Sequence, residues 1–161
     1  MKKAFTLLEL IVVLAIFSSF LVVLTLVLNN YLVKAQKNIA LLDSIRRLTE
    51  TADKVNNYLI RASGPANSVR IESATQVTFD IIISGQKINA AIEVVDNTRF
   101  NYRENDQVQT VTVEDVSIRF SKAGASADVD LPIKMTVTTP NPYNTSSTLS
   151  MEFVVYPPGV R

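Results

Sequence analysis

Few residues in this chain have side chains suited to catalysis or metal binding, and their types already exclude several classes of function. The 161 residues include no His and no Cys, which excludes Ser-His-Asp triads, thiolate nucleophiles and the common His- or Cys-based zinc sites. The four glycines stand far apart and form no phosphate-binding loop. Carboxylates and lysines remain, but no pair of carboxylates stands out as a general acid and base. We therefore expect a protein that is not an enzyme and that uses no cofactor or metal.

One carboxylate occupies a chemically unusual position. Glu9 is the only charged residue in the apolar stretch Phe5–Leu28, which is long enough to cross about 30 Å of hydrocarbon as a helix. A carboxylate inside such a helix costs a few kcal/mol and is usually paired and functional. The stretch contains no cationic side chain to pair with it. Glu9 therefore predicts a partner cation from elsewhere.

Cleavage of the chain between Ala4 and Phe5 would create such a cation. The new α-amino group of Phe5 would lie about one helical turn from Glu9, on the same chain or on a neighbouring copy. Loss of the two leading lysines would take the formal side-chain charge from +1 to −1. A secretory signal peptide cut after Ala35 is the alternative, but secretory apolar regions span only about 7–15 residues.

The residues Lys3-Ala4-Phe5-Thr6-Leu7-Leu8-Glu9-Leu10 resemble the class III leader junction of type IV pilins and pseudopilins. That family carries a short basic leader, a small residue and then Phe-Thr-Leu-x-Glu at the start of a long apolar helix. The resemblance implies cleavage after Ala4 by prepilin peptidase and N-methylation of Phe5. It also implies that Glu9 sets register against the amino terminus of an adjacent subunit. The chain departs from the family at Ala4, because the residue before the cut is usually Gly.

The apolar stretch continues into an amphipathic helix without a helix breaker. Residues Tyr31 to Arg61 include no Gly or Pro, and Gly64-Pro65 supplies a stop. Ser18 and Ser19 are expected to bond back to the helix or to pack against neighbours. Apolar residues recur at the helical spacing of three and four at Leu42, Ile45, Leu48, Ala52, Val55 and Leu59. One helix from about Phe5 to Arg61 is predicted.

From Val69 the apolar spacing changes to two, which is typical of strands. Short connections between the runs favour antiparallel hairpins. The segments Ala123–Asp130 and Pro140–Ser147 are predicted to be the loosest loops. The predicted strands are Val69–Glu72, Gln76–Ser84, Lys87–Val95, Arg99–Arg103, Gln107–Val113, Val116–Lys122, Ile133–Thr139 and Thr148–Tyr156.

The chain is therefore expected to have an α+β, type IV pilin-like fold in four segments. Residues 1–4 form the leader, 5–28 the transmembrane and filament-core helix, and 29–64 its amphipathic continuation. Residues 65–161 form a head in which an antiparallel sheet packs on the helix. The basic leader predicts a cytoplasmic amino terminus and an outer head. The order of the elements after the helix is most similar to minor pilins and J-type minor pseudopilins.

Three further groups of residues in the head are weaker candidates. The acidic group carries oxygen ligands suited to calcium but forms no recognised motif. The glycosylation sequon is a pattern that arises often by chance. Isolated aromatic residues in a β-rich head are more often part of the core or its rim than of a ligand surface. The groups are the acids Glu114, Asp115, Asp128 and Asp130, the sequon Asn144-Thr145-Ser146, and the tyrosines Tyr102, Tyr143 and Tyr156.

The expected function is a minor pilin or pseudopilin subunit in a pilus, a type II secretion system or a competence pilus, with a place in a tip or priming complex. Its partners would be prepilin peptidase, other pilins, membrane lipid and the inner-membrane assembly platform. The balance of 16 basic and 15 acidic residues disfavours nucleic acid as the main partner. The chain would lie in the cytoplasmic membrane and then in a filament at the cell surface or in the periplasm. The alternatives are a major shaft pilin and a single-pass membrane-anchored binding or sensory protein.

Overall fold

A long helix leads into a series of short strands in the computed structural model, which describes residues 6–124 and 129–160. Helix α1 runs Leu7–Leu59 and ends slightly earlier than predicted. By contacts the chain divides into two compact units, Met1–Ala40 and Leu41–Arg161, and the helix contributes to both. One long amino-terminal helix together with antiparallel sheets confirms the predicted α+β fold.

The first unit presents apolar side chains along its surface. Every residue from Thr6 to Lys34 is exposed. As expected, the Ser18 and Ser19 hydroxyls donate to backbone carbonyls of the preceding turn, at 2.7 and 2.8 Å, and Thr25 does the same at 2.8 Å. These hydroxyls therefore need no outside partner. By length and composition, α1 could cross a membrane.

Within the described residues, the head contains ten strands in three sheets. All pairs in the two larger sheets are antiparallel. A five-stranded sheet has the order β2 (Arg70–Ser73), β3 (Gln76–Ile83), β4 (Gln86–Asp96), β5 (Arg99–Glu104) and β6 (Gln107–Thr112), and a three-stranded sheet has the order β7 (Ser117–Lys122), β8 (Ile133–Asn141) and β9 (Asn144–Val155). The third sheet is a parallel pair of β1 (Ser63–Gly64) and β10 (Gly159–Val160).

All eight predicted strands are present, but the loop predicted at Pro140–Ser147 is wrong. β8 continues to Asn141 and β9 begins at Asn144, which leaves a two-residue turn. Pro140 is tolerated in β8 because β7 pairs only as far as Thr138. The missing N–H of Pro140 therefore interrupts no ladder on that side.

The two shortest strands, β1 and β10, have no counterpart among the predicted strands. Their pairing brings Gly159 against the backbone just after α1, where a Cβ at this position would lie 2.7 Å from the carbonyl oxygen of Ala62. Only glycine permits that approach. A two-residue parallel pair has no periodicity of its own, so the sequence could not predict it.

The carboxyl-terminal part of α1 buries one face in the core of the head. Four of the six predicted apolar positions are buried, namely Leu48, Ala52, Val55 and Leu59. Leu42 is 66% exposed and Ile45 is 40% exposed. At about 100° per residue, Leu42 lies roughly 120° around the helix from Leu48, which places it off the buried face. The spacing of three and four therefore predicted the helix correctly, but it assigned two exposed residues to the buried face.

An aromatic cluster joins the end of α1 to β5. The ring of Tyr58 stacks on Tyr102 with centroids 4.3 Å apart and meets the edge of Phe100 at 6.1 Å. The Tyr102 hydroxyl donates to Glu104 at 2.9 Å, and Arg61 pairs with the same carboxylate at 3.1 Å. The stacked rings contribute beyond the area they bury, so this cluster stabilises the seam between the helix and the five-stranded sheet.

The same cluster predicts a loss of stability at alkaline pH. Burial raises the pKa of Tyr102, and its bond to Glu104 adds to this, while Arg61 acts in the opposite direction. Because the folded pKa exceeds the unfolded value of about 10, this contribution is complete below about pH 10 and is lost as the pH rises above it. Urea denaturation of the detergent-solubilised chain between about pH 9 and 11 should show a steeper decline for the wild type than for Tyr102→Phe. Equal slopes would contradict the assignment.

Candidate functional site at the amino-terminal end of the helix

Thr6 and Glu9 form a reciprocal cap at the start of α1. The Thr6 backbone N–H donates to Oε2 of Glu9 at 2.9 Å. The Glu9 backbone N–H donates in return to Oγ1 of Thr6 at 3.3 Å. This is the capping box, in which a Thr and a Glu three residues later satisfy each other's backbone donors. It fixes the carboxylate of Glu9 at the positive end of the helix dipole.

The two carboxylate oxygens of Glu9 have different surroundings. Oε2 also accepts a hydrogen bond from the Thr6 hydroxyl at 3.0 Å, so it receives two donors from the same residue. Oε1 has no partner within the described residues. Thr6 therefore orients the carboxylate and leaves one oxygen available to a group from outside. The site can accept a cation or another strong donor.

Thr6 was not singled out as a functional residue from the sequence, although a signal was present. The pattern Thr-x-x-Glu directly before an apolar run is the sequence form of a capping box. It gives Glu9 neutral partners within its own chain. Among the described residues, Oε1 of Glu9 is then the oxygen left to pair with a cation.

The predicted processing residues Ala4 and Phe5 lie outside the described residues, so their roles remain predictions. Glu9 is described and is exposed. Cleavage before Phe5 would place the new amine next to Thr6 in sequence. Glu9 is thus the predicted site residue whose geometry is described, and the structure adds Thr6 to it.

The other candidate residues of the head are not brought together. Tyr102 is buried in the stack with Tyr58. Tyr143 lies in the turn between β8 and β9, while Tyr156 follows the opposite end of β9. These three tyrosines therefore form no common ligand surface.

Two of the four acidic candidates, Asp115 and Asp130, make structural contacts. Asp130 accepts the backbone N–H of Ile71 at 2.9 Å and lies 3.7 Å from the ammonium of Lys122. Asp115 accepts a bond from Asn97 at 3.4 Å, and Asp128 lies outside the described residues. Within residues 6–124 and 129–160, no group of three His, Cys, Asp or Glu side chains is placed to hold a metal ion.

The sequon residue Asn144 is also used locally. Its side-chain oxygen accepts the backbone N–H of Ser146 at 3.0 Å, and its carbonyl accepts the hydroxyl of Ser147 at 3.0 Å. The side chain of Thr145 lies outside the described part. Asn144 therefore shapes the first residues of β9.

Comparison with known families gives a match at the amino-terminal end of the chain. Residues 1–26 match the family model for the prokaryotic N-terminal methylation motif. No match was found to a curated protein or to a solved structure. The motif and the long apolar helix together support a type IV pilin-like subunit that is anchored in a membrane, processed by prepilin peptidase and assembled with other pilins.

Proposed function

We propose that this chain is a minor pilin or pseudopilin subunit of a type IV filament machine. It inserts in the cytoplasmic membrane through α1, is cut between Ala4 and Phe5 and is methylated on the new Phe5 amine. It then assembles with other pilins and pseudopilins through the apolar part of α1. The head remains outside the cytoplasm and takes its place in a tip or priming complex.

The observation that carries this proposal is the Thr6–Glu9 cap on an apolar helix. A plain membrane anchor would gain only a helix cap from this carboxylate, and a neutral side chain could cap the helix without the cost of a charge in lipid. Here the carboxylate is held by Thr6 with Oε1 available. The methylated amine of Phe5 from a neighbouring subunit is a cation of the right kind to pair with it.

The apolar surface of α1 supports the same proposal. Residues 6–34 are exposed, and their serine and threonine hydroxyls are largely satisfied by the helix itself. Such a surface is stable in lipid or against similar helices, and it would be unfavourable in water. Transfer from lipid to a filament core exchanges one apolar environment for another.

Intact-mass spectrometry tests the proposal directly. The full chain is produced in membranes with active prepilin peptidase, and membranes lacking the peptidase serve as the control. We expect the first sample to lose Met1–Ala4 and to gain one methyl group, while the control keeps its mass. An unchanged mass in both samples overturns the pilin assignment and favours a single-pass anchored binding protein.

The abundance of the chain in filaments distinguishes a minor subunit from a major shaft pilin. A minor subunit should be present at low abundance in sheared filaments, together with other pilins. If this chain instead dominates the filament fraction, it is a major shaft pilin. Cleavage would then be retained as part of the proposal, while the tip role would be lost.

A further inference from the structure

The outward face of the five-stranded sheet carries a polar cleft of about 490 Å³. This volume lies in the range of small-molecule sites, which measure about 300–1,000 Å³. Its walls come from the segment before β2 and from strands β2, β3 and β4. The residues that matter are Ser68, Arg70, Glu72, Asp80, Lys87 and Asn89.

The cleft is lined by an ion pair whose carboxylate is buried. The side chain of Asp80 is only 10% exposed, and its Oδ2 lies 2.8 Å from Nζ of Lys87, whose side chain is 70% exposed. A buried carboxylate is costly unless it is paired. Lys87 neutralises it through Nζ, and most of the Lys87 side chain is itself exposed. The acceptor of this pair is therefore already engaged.

The second carboxylate of the cleft is also engaged. Oε1 of Glu72 accepts the hydroxyl of Thr78 at 3.1 Å. Thr78 lies directly opposite Arg70 in the pairing of β2 with β3. Even so, no ion pair joins Arg70 to Glu72 within the described residues.

Several donors in the cleft have no partner in the described part of the chain. The hydroxyl oxygen of Ser68 is buried without a hydrogen bond. The guanidinium of Arg70 and the side-chain amide of Asn89 line the cleft, are exposed, and make no hydrogen bond or ion pair with another described residue. A buried polar atom without a partner costs free energy comparable to a lost hydrogen bond. Ser68 bears this cost, and the exposed donors of Arg70 and Asn89 lie in the same cleft, while one oxygen each of Glu72 and Asp80 is already engaged.

This distribution restricts the chemistry of the ligand. A guanidinium without a partner favours a carboxylate, which it can bind through two hydrogen bonds. Lys87 is already paired with Asp80, and the carboxylate of Glu72 disfavours a ligand of high negative charge, such as a phosphate. Because the side chains that line the cleft are almost all polar, an apolar ligand would leave buried polar groups without partners. A single carboxylate combined with neutral hydroxyl groups fits all three constraints.

We propose that this cleft binds an acidic sugar, a uronic acid, as a monosaccharide or a short oligosaccharide. Its carboxylate pairs with Arg70, and its hydroxyl groups bond with Ser68 and Asn89. Hydroxyl groups both donate and accept, so they can also donate to the remaining lone pairs of Glu72. The site lies wholly in the head, and it does not depend on how the chain is processed or assembled.

Titration of the full detergent-solubilised chain with glucuronate tests the proposal, with glucose and acetate as comparison probes. We expect glucuronate to bind at least tenfold more tightly than either probe, because glucose lacks the carboxylate and acetate lacks the hydroxyl groups. Equal binding of acetate would reduce the site to a simple carboxylate site and overturn the sugar assignment. If glucose bound as tightly as glucuronate, the carboxylate would not contribute to binding, and the proposed pair with Arg70 would be wrong. No detectable binding of glucuronate at millimolar concentration would overturn the proposal altogether.

Arg70→Gln has a matched control on the same face of the sheet. Cross-strand pairing runs from Arg70 through Thr78 and Ala91 to Arg103, and Arg103 does not line the cleft. Arg70→Gln should weaken glucuronate binding about tenfold or more, since charge-assisted bonds are worth roughly that ratio. Arg103→Gln removes the same charge and should change binding less than about twofold. Equal effects of the two variants would contradict a specific contact.

Ser68→Ala distinguishes a binding role from a structural one. Removal of a buried hydroxyl without a partner should leave the thermal unfolding temperature unchanged or slightly higher. The same variant should weaken glucuronate binding severalfold, because the hydroxyl bonds only to the ligand. A variant that binds like the wild type would show that Ser68 has no part in recognition.

Discussion

Replacement of Glu9 by Gln should leave the chain inserted in the membrane but reduce its incorporation into filaments tenfold or more. Gln keeps the size of the side chain and an oxygen that can accept the Thr6 bonds, so the helix cap survives. It loses the negative charge that would pair with the Phe5 amine of a neighbouring subunit. Removal of one member of a desolvated ion pair costs several kcal/mol, or about tenfold for each 1.4 kcal/mol.

The measurement compares the amount of chain in the sheared filament fraction with the amount in the membrane fraction. Glu9→Ala should be as defective as Glu9→Gln, since both remove the charge. Thr6→Ala should have a smaller effect, because it removes the side-chain bonds from Thr6 but keeps the carboxylate. Thr6→Ser keeps the hydroxyl that bonds with Glu9 and leaves the carboxylate in place, so it should assemble like the wild type.

The capping box makes this series decisive, because it offers a rival role for Glu9. If Glu9 only caps the helix, Glu9→Gln should assemble normally while Thr6→Ala fails. If Glu9 sets register through its charge, the order is reversed. Normal incorporation of Glu9→Gln would therefore show that the register role is wrong.

Replacement of Ala4 by Leu should abolish processing of the chain. Cleavage sites of exported proteins favour small residues before the cut, and Ala4 meets that need while Leu does not. The uncut chain keeps its two leading lysines and has no free Phe5 amine. Those charges hold the amino terminus on the cytoplasmic side, so Ala4→Leu should also fail to enter filaments.

Intact-mass spectrometry of the membrane fraction, with active prepilin peptidase present, checks this expectation. Ala4→Gly is the matched control and should be processed at least as completely as the wild type. Ala4→Leu and Glu9→Gln should share the assembly defect but differ in mass, because only the first blocks the cut. A processed Ala4→Leu chain would contradict the proposed cleavage position.

Most of the secondary structure could be predicted from the sequence because it depends on local spacing. The unbroken run from Tyr31 to Arg61 and the spacing of three and four indicated one helix, and α1 extends Leu7–Leu59. The period of two after Val69 indicated the strands, all of which are present. The loop predicted at Pro140–Ser147 was wrong because a residue typical of turns can also lie inside a strand. Pro140 does so in β8, since β7 pairs with β8 only as far as Thr138 and no hydrogen bond on that side needs the N–H that proline lacks.

The cleft shows what local spacing could not predict. Ser68, Arg70, Asp80 and Lys87 are ordinary polar residues in the sequence, and no motif links them. Arg70, Asp80 and Lys87 line one cleft because β2, β3 and β4 are neighbours and their outward faces share a register, and Ser68 lies just before β2. That arrangement depends on the register of two hairpins, which the spacing of apolar residues alone does not fix.

The sequence by itself determined that an isolated carboxylate would stand at the head of an apolar helix, because both features are local. It also excluded His- and Cys-based chemistry and gave the order of helix and strands. The tertiary structure decided which face of α1 is buried, how the strands divide into sheets, and which oxygen of Glu9 is left without a partner among residues 6–124 and 129–160. Those outcomes depend on packing and on hydrogen-bond geometry in three dimensions, where residues compete for the same partners.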